Sequence, residues 1–230
     1  MPRPEERARF ATGVNDDSVY LVANVESFEF LAHSLWALAF QRRDQTALLL
    51  DLPMMVPNPV TGESSRPVVL VNSDLGIPSP TMLDELRGLL PVASASEGTV
   101  KLRTAGLDRA LADPNAFAAK ERADTQAPPW NANEWDAWIT RQAGLVTVVM
   151  APAVLRAYAA AAAEFGAFSW ENLDASEFVV PADDTVVFDR TLLERATAMR
   201  MKRASKFPGR VLRELNGDER ARLWSESRVG

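Results

Sequence analysis

Residues 18–41 read SVYLVANVESFEFLAHSLWALAFQ and join two apolar patterns of different period. After Ser18, the residues up to Ala23 form a continuous apolar run of the β type. The apolar residues that follow recur at the spacing of one helix face: Phe28, Leu31, Leu35 and Leu38. The stretch therefore predicts a strand that leads into a helix over 27–41, which is the unit from which α/β folds are built.

Further short apolar runs extend this pattern along the chain. Each is bounded by Pro, Gly, Asn, Asp or Ser, and the longer ones are as continuous as strands buried on both faces of a sheet. These predicted strands cover residues 46–50, 67–71, 145–150, 178–180 and 186–188. We therefore predict an α/β fold with a mixed, largely parallel sheet that is flanked by helices.

Helix start signals separate several of these runs. Ser79 can cap a helix that has Pro80 at its first position, and Pro152 opens an alanine-rich helix that ends near Gly166. Asn131 and Glu134 have the spacing of a capping box, with Trp130 and Trp135 placed as a hydrophobic staple. A further helix is therefore predicted over 132–144, with Trp138 in a packing role, although this tryptophan cluster could also offer stacking faces to a ligand.

Composition divides the chain into three parts. Residues 1–17 are polar and predict a mobile N-terminal arm, and residues 18–189 predict the α/β domain. A candidate internal boundary lies near 125–130, at Pro128 and Pro129. Residues 190–230 predict a basic helical extension, broken near Pro208. No internal repeat is visible in the sequence.

Residue usage excludes several classes of function. The chain of 230 residues has no cysteine and one histidine, so disulfides, thiolate zinc sites and a cysteine nucleophile are excluded. His33 lies inside an apolar helix pattern and is expected to be structural. Gly-rich phosphate loops and the Gly-x-Ser-x-Gly elbow are absent. The charged N-terminus and the lack of a long apolar run predict a soluble, cytoplasmic protein that does not bind a membrane. No cofactor is expected, because the sequence contains no specific cofactor motif.

The sign of the charge reverses near the C-terminus. Residues 1–188 hold 14 Lys and Arg against 25 Asp and Glu, whereas residues 189–230 hold 11 against six. Segregated charge of this kind usually meets a partner or a docking face. The predicted binding residues are the cations of the extension: Arg195, Arg200, Lys202, Arg203, Lys206, Arg210 and Arg213. The leading hypothesis is a non-enzymatic assembly protein that docks on an acidic protein or on another copy of itself, with DNA or RNA as the rival ligand.

Carboxylates that follow predicted strands support an alternative hypothesis. Glu26, Asp51 and Asp74 could hold Mg²⁺ if the strand ends meet at one edge of the sheet. A strand followed by Glu26, and a later strand followed by residues 73–76 (SDLG), resembles the Toprim pattern of topoisomerases and related nucleases. That family has a second Asp where this chain has Gly76, so the site is degenerate. The resemblance implies a metal-dependent phosphoryl-transfer or nuclease enzyme.

Overall fold

The computed structural model describes most of the chain between residues 8 and 223. The described residues are 8–15, 18–23, 25–58, 63–91, 105–113, 115–117, 119–120, 137–167, 175–179, 185–189, 201–210, 214–215, 218–219 and 222–223. The first half runs through β1 (Phe10–Asn15), β2 (Ser18–Ala23), α1 (Val25–Ala39), β3 (Ala47–Leu50), β4 (Val68–Asn72) and α2 (Pro80–Leu89). The second half runs through α3 (Ala105–Ala112), β5 (Ala137–Gln142), β6 (Leu145–Met150), α4 (Pro152–Ala167), β7 (Ala175–Val179) and β8 (Thr185–Asp189).

The described strands form two four-stranded sheets. One has the order β1-β2-β8-β7 and the other the order β3-β4-β6-β5. Only the central pairs, β2 with β8 and β4 with β6, are parallel, and the outer pairs are antiparallel. The α/β class is confirmed, but the expectation of a largely parallel sheet is wrong. Each outer pair joins strands that are consecutive in the chain, and three of the four connections are short, which favours antiparallel pairing.

The two halves of the chain follow the same order of elements. Leaving aside α2 and α3, which lie between β4 and β5, each half begins with a hairpin of two six-residue strands that are two residues apart, and α1 or α4 then follows after one further residue. Two more strands complete each half. Exchanging the halves converts the strand order of one sheet into that of the other. The fold therefore contains a topological repeat that the sequence does not reveal.

The main core joins both sheets to α1 and α4, which pack against each other. Phe10 begins β1 and Ala137 begins β5, 127 positions later. The same offset relates Phe28 to Leu155 and Leu35 to Ala162, and all four are buried. The repeat thus preserves burial but not residue type. The alanines of α4 let it approach α1 closely, as the alanine-rich sequence predicts.

A second apolar cluster lies on the opposite face of the second sheet, beneath α2. Val68 and Leu70 of β4 belong to the main core, whereas the alternate residues Val69 and Val71 pack in this second cluster with Leu83 of α2. Both faces of β4 are therefore buried, which explains its continuous apolar run. Ser79 caps α2 as predicted, because its side chain accepts a hydrogen bond of 3.2 Å from the Met82 amide.

The N-terminal arm predicted over residues 1–17 must be corrected. Residues 10–15 form β1, with Phe10 fully buried and its ring 6.4 Å from that of Phe30. One large apolar residue among small and polar ones does not make a recognisable strand pattern, but this one anchors the strand in the core. Residues 1–7 lie outside the described part of the chain.

The helix predicted over 132–144 is also wrong where the structure describes it. Residues 137–142 form β5, and Ala143 and Gly144 turn the chain with φ angles of 53° and 76°. Positive φ at both central residues is what a tight type I′ hairpin requires. Trp138 lies on β5 and packs partly buried against the second cluster, whereas Trp130, Trp135 and the predicted capping box lie outside the described residues.

None of the helices in the described part of the chain is both long enough and apolar enough to span a membrane.

Candidate functional site

Four of the seven predicted cations lie in the described part of the C-terminal segment. Lys202, Arg203 and Lys206 belong to a helical stretch over 201–206, which we call the basic helix, and Arg210 follows the turn after it. Arg195, Arg200 and Arg213 lie outside the described residues.

Arg210 binds within its own segment. Its Nη1 and Nη2 donate to the two carboxylate oxygens of Glu219 at 2.8 and 3.0 Å, and Nη2 also donates to the Glu214 carbonyl at 2.6 Å. The guanidinium carbon lies 5.6 Å from the centre of the Phe207 ring. The hydrogen bond with Glu219 raises the pKa of Arg210 above its ordinary value. This fork geometry ties the chain after the basic helix to residues near the C-terminus.

The basic helix presents two different sides. Arg203 donates through Nη1 to the carbonyl oxygen of Arg210, and Phe207, one turn later, packs with Leu215 and Leu223. Met201 and Ser205, also one turn apart, are exposed, and the Met201 side chain is 72% accessible. The side that faces away from Phe207, Leu215 and Leu223 therefore carries the exposed Met201. Lys202 and Lys206, one turn apart, lie on the flank between this side and the side of Arg203 and Phe207.

The structure does not bring the three candidate metal ligands together. Glu26 is exposed in the first turn of α1 and follows β2 of the first sheet, whereas Asp51 and Asp74 follow strands of the second sheet. Asp51 follows β3 and accepts a hydrogen bond of 2.6 Å from the Leu52 amide, capping the 3-10 turn Leu52–Met54. Asp74 is exposed in the turn that follows β4.

Strand direction explains the separation of Asp51 and Asp74. β3 and β4 are antiparallel, with Leu50 opposite Val68, so Asp51 lies beyond the end where β4 begins. Asp74 lies beyond the end where β4 finishes. The five residues of β4 span roughly 13 Å from one end to the other. Within the part of the chain that the structure describes, no group of three His, Cys, Asp or Glu side chains could hold a metal ion.

An open groove of about 540 Å³ lies beside α2, and we call it the α2 groove. Its floor is the outer face of β3 and β4, and α2 forms one wall. The apolar residues of floor and wall are Ala47, Leu49, Val69, Val71, Met82, Leu83 and Leu86. The loops 44–46 and 75–78 close one end. A cavity of this size with an apolar floor has room for several side chains of a ligand.

Local structure leaves Ile77 exposed at the closed end of the groove. Asn72 caps the 3-10 turn Ser73–Leu75 by accepting from the Asp74 amide at 3.0 Å, and its own amide donates to the Leu38 carbonyl at 3.1 Å. Gly76 then adopts a φ of 106°, which an L side chain rarely adopts. The chain turns there, and Ile77 is left 61% exposed.

Large apolar side chains on α2 also reach solvent. Met82 is 40% exposed and Leu89 is 69% exposed, whereas Leu83 on the same helix is buried. The apolar stripe of α2 is thus wider than the sheet surface that it covers. Met82 lines the groove together with the exposed Ile77, whereas Leu89 does not line it. Exposed apolar side chains at a groove mark an interaction surface.

Carboxylates line the edges of this apolar surface. Asp44 lies in the lining of the groove, and Glu85 on α2 is three residues from Met82 and four from Leu89. Both carboxylates are exposed, and helical spacing puts Glu85 on the same side of α2 as the two exposed apolar residues. The loop next to Asp44 carries two exposed cations, Arg42 and Arg43, whereas α2 carries two exposed carboxylates, Asp84 and Glu85, and one exposed cation, Arg87, so the acidic character is stronger on the α2 side.

Sequence reasoning missed the α2 groove. The sequence shows the apolar face of the helix after Ser79, but periodicity alone assigns all of that face to the core. The one local signal is Ile77, a large apolar residue between Gly76 and Pro78 in a turn where polar residues are usual.

Comparison with known proteins adds no relative to this description. No family model, no curated protein and no solved structure matches the chain. The basic helix and the α2 groove are therefore the features from which a function can be inferred.

Proposed function

We propose that the protein is a non-enzymatic binding protein of an assembly, and that its basic helix docks on an acidic protein surface. The observation that carries this proposal is the 72% exposure of Met201 beside Lys202. An exposed apolar side chain gains free energy when a partner covers it, and the adjacent cations favour a partner with carboxylates around an apolar centre.

Two further observations favour a protein over a nucleic acid as the partner. Arg203 and Arg210 donate hydrogen bonds within the C-terminal segment, so their guanidinium groups already have partners. The net charge of the chain is −6, which repels a polyanion at long range. Phosphate groups would also leave Met201 uncovered, because phosphate contacts come from cationic and polar groups.

Photo-cross-linking in cells tests the proposal. A photoreactive amino acid replaces Met201 in the full chain, and a matched control carries it at Ala112, which is exposed at the end of α3. We expect a protease-sensitive, nuclease-resistant adduct at position 201 and a much lower yield at position 112. Adding Lys202→Glu to the first variant should reduce the adduct.

Two outcomes would overturn the proposal. A nuclease-sensitive adduct at position 201 would make nucleic acid the ligand. Equal adduct yields at positions 201 and 112 would show that the basic helix is not a docking surface.

A further inference from the structure

We infer that the acidic surface that receives the basic helix is the α2 groove of a second copy of this chain. The inference rests on the proposed function and names its partner. The basic helix and the α2 groove are exposed on the same chain. Both have exposed apolar residues, and their charges are opposite.

The apolar parts of the two surfaces are complementary. The groove offers an apolar floor with Ile77 and Met82 exposed in its lining, and the basic helix offers Met201. A methionine side chain is unbranched and flexible, so it can fill an irregular apolar groove. An amphipathic helix that lays such a residue into a groove is a common mode of protein recognition.

The charges around the apolar parts are complementary as well. Glu85 lies beside the exposed apolar residues of α2, and Asp44 lines the groove near its closed end. Lys202 lies next to Met201 on the basic helix, and Lys206 follows one turn later. With Met201 in the groove, Lys202 of one copy approaches Glu85 of the other, which gives both attraction and register.

The exposure of both surfaces indicates a second copy rather than the same one. In the single chain Ile77 is 61% exposed and Met201 is 72% exposed, so neither covers the other. If each copy places its basic helix in the groove of the other, two identical contacts close a twofold dimer. If only one such contact formed, one basic helix and one groove would stay uncovered and could bind further copies.

The solution mass of the full chain tests the inference. Light scattering or sedimentation over a concentration series at low salt should show a dimer that dissociates on dilution and weakens as salt is added. Glu85→Lys and Lys202→Glu should each raise the dimer dissociation constant about fivefold or more, because each replaces an attraction with a repulsion. Asp108→Lys, an exposed reversal on α3, serves as the matched control and should leave the mass unchanged.

A charge exchange gives the sharper result. The double variant Glu85→Lys with Lys202→Glu restores opposite charges across the contact, so its dissociation constant should return to within about threefold of the original value. Both positions are outside the buried core, so each variant should fold, and circular dichroism checks that it does.

The outcomes separate this inference from the proposed function. A chain that stays monomeric at every concentration overturns the inference, and so does a double variant that dimerises no better than the single ones. If the photo-cross-link at position 201 still traps a different protein in cells, the proposed function stands and only the identity of the partner is wrong.

Discussion

Gly106 shows how tightly one residue can be constrained in this core. It lies in the first turn of α3, and a Cβ atom at this position would be 2.8 Å from Cζ2 of Trp36. The Trp36 indole is buried, and its ring centre lies 5.5 Å from that of Phe40 and 5.8 Å from that of Phe117. With aromatic neighbours around it, the indole has little room to move away. The absence of a side chain at Gly106 therefore lets α3 approach α1.

Replacing Gly106 tests this contact at the residue scale. Gly106→Ala should lower the free energy of unfolding by about 1–3 kcal/mol, because the added methyl group overpacks the site. This loss would outweigh the better helix propensity of alanine, which is worth at most about 1 kcal/mol. Urea denaturation followed by tryptophan fluorescence measures the change.

Gly88 provides the matched control within another helix. No atom lies within 4 Å of a Cβ built at this position, so Gly88→Ala should be neutral or should stabilise the protein by up to about 1 kcal/mol. If the two substitutions change stability in the same direction and by the same amount, the contact with Trp36 does not constrain α3.

The edge strand β1 shows how an element is held by a loop. The Val56 amide donates to the Phe10 carbonyl at 2.7 Å, and the Thr12 amide donates to the Ser65 hydroxyl at 3.0 Å. Thr12 Oγ1 accepts from the Arg66 amide at 2.7 Å and donates to the Arg66 carbonyl at 3.0 Å. Loop residues therefore take up hydrogen-bonding groups of β1 and cover an edge that could otherwise pair with another chain.

Substitution of the two adjacent serines in this loop tests whether the loop stabilises β1. Ser65 is buried, and its hydroxyl also donates to the Val56 carbonyl, whereas Ser64 is exposed. Ser65→Ala should lower the free energy of unfolding by about 1–3 kcal/mol, because it leaves buried polar groups without a partner. Hydrogen exchange should show faster exchange at the Thr12 amide.

The neighbouring substitution provides the comparison. Ser64→Ala should change the free energy of unfolding by no more than about 0.5 kcal/mol, as is usual for an exposed site. Equal losses for the two serines would mean that the hydroxyl of Ser65 does not hold the loop to β1.

Sequence patterns predict the elements whose apolar residues are dense and periodic. β4, β6, α1 and α4 are of this kind, and each lies close to its predicted bounds. β1 was missed because Phe10 is its one large apolar residue, and β5 was missed because the sequence before it also satisfies a helix cap. Local patterns of this strength do not separate a strand from a helix when tertiary packing makes the choice.

The candidate site was predictable only as a charge pattern. The reversal of sign marks the C-terminal segment, but it does not show that Arg203 and Arg210 donate hydrogen bonds within that segment. The α2 groove depends on how much of α2 the sheet covers. That quantity follows from strand order, which one sequence does not specify.

At the scale of the whole molecule, each sheet is assembled from both halves of the chain. The first sheet takes β1 and β2 from the N-terminal half and β7 and β8 from the C-terminal half, and the second sheet is mixed in the same way. α1 and α4, one from each half, pack together in the main core. An isolated two-stranded hairpin is at best marginally stable in water. Neither half can therefore complete a sheet alone.

Dividing the chain tests this interdependence. Fragments 1–120 and 121–230 should each lack a cooperative unfolding transition, because each has only two strands of either sheet. When mixed at equal concentrations, they should recover the near-ultraviolet circular dichroism of the intact protein. A cooperative transition in either fragment alone would contradict the prediction.

The parallel contact between β2 and β8 has a consequence for how the protein is made. Ser18 pairs with Thr185, so the edge of β2 that pairs with β8 has no partner strand until most of the chain has left the ribosome. The second sheet can close earlier, once β6 has been synthesised, since β4 pairs with Val146 and its neighbours. Nascent chains of this protein consequently carry an unpaired strand edge for most of translation, and it is during this interval that they are most exposed to aggregation.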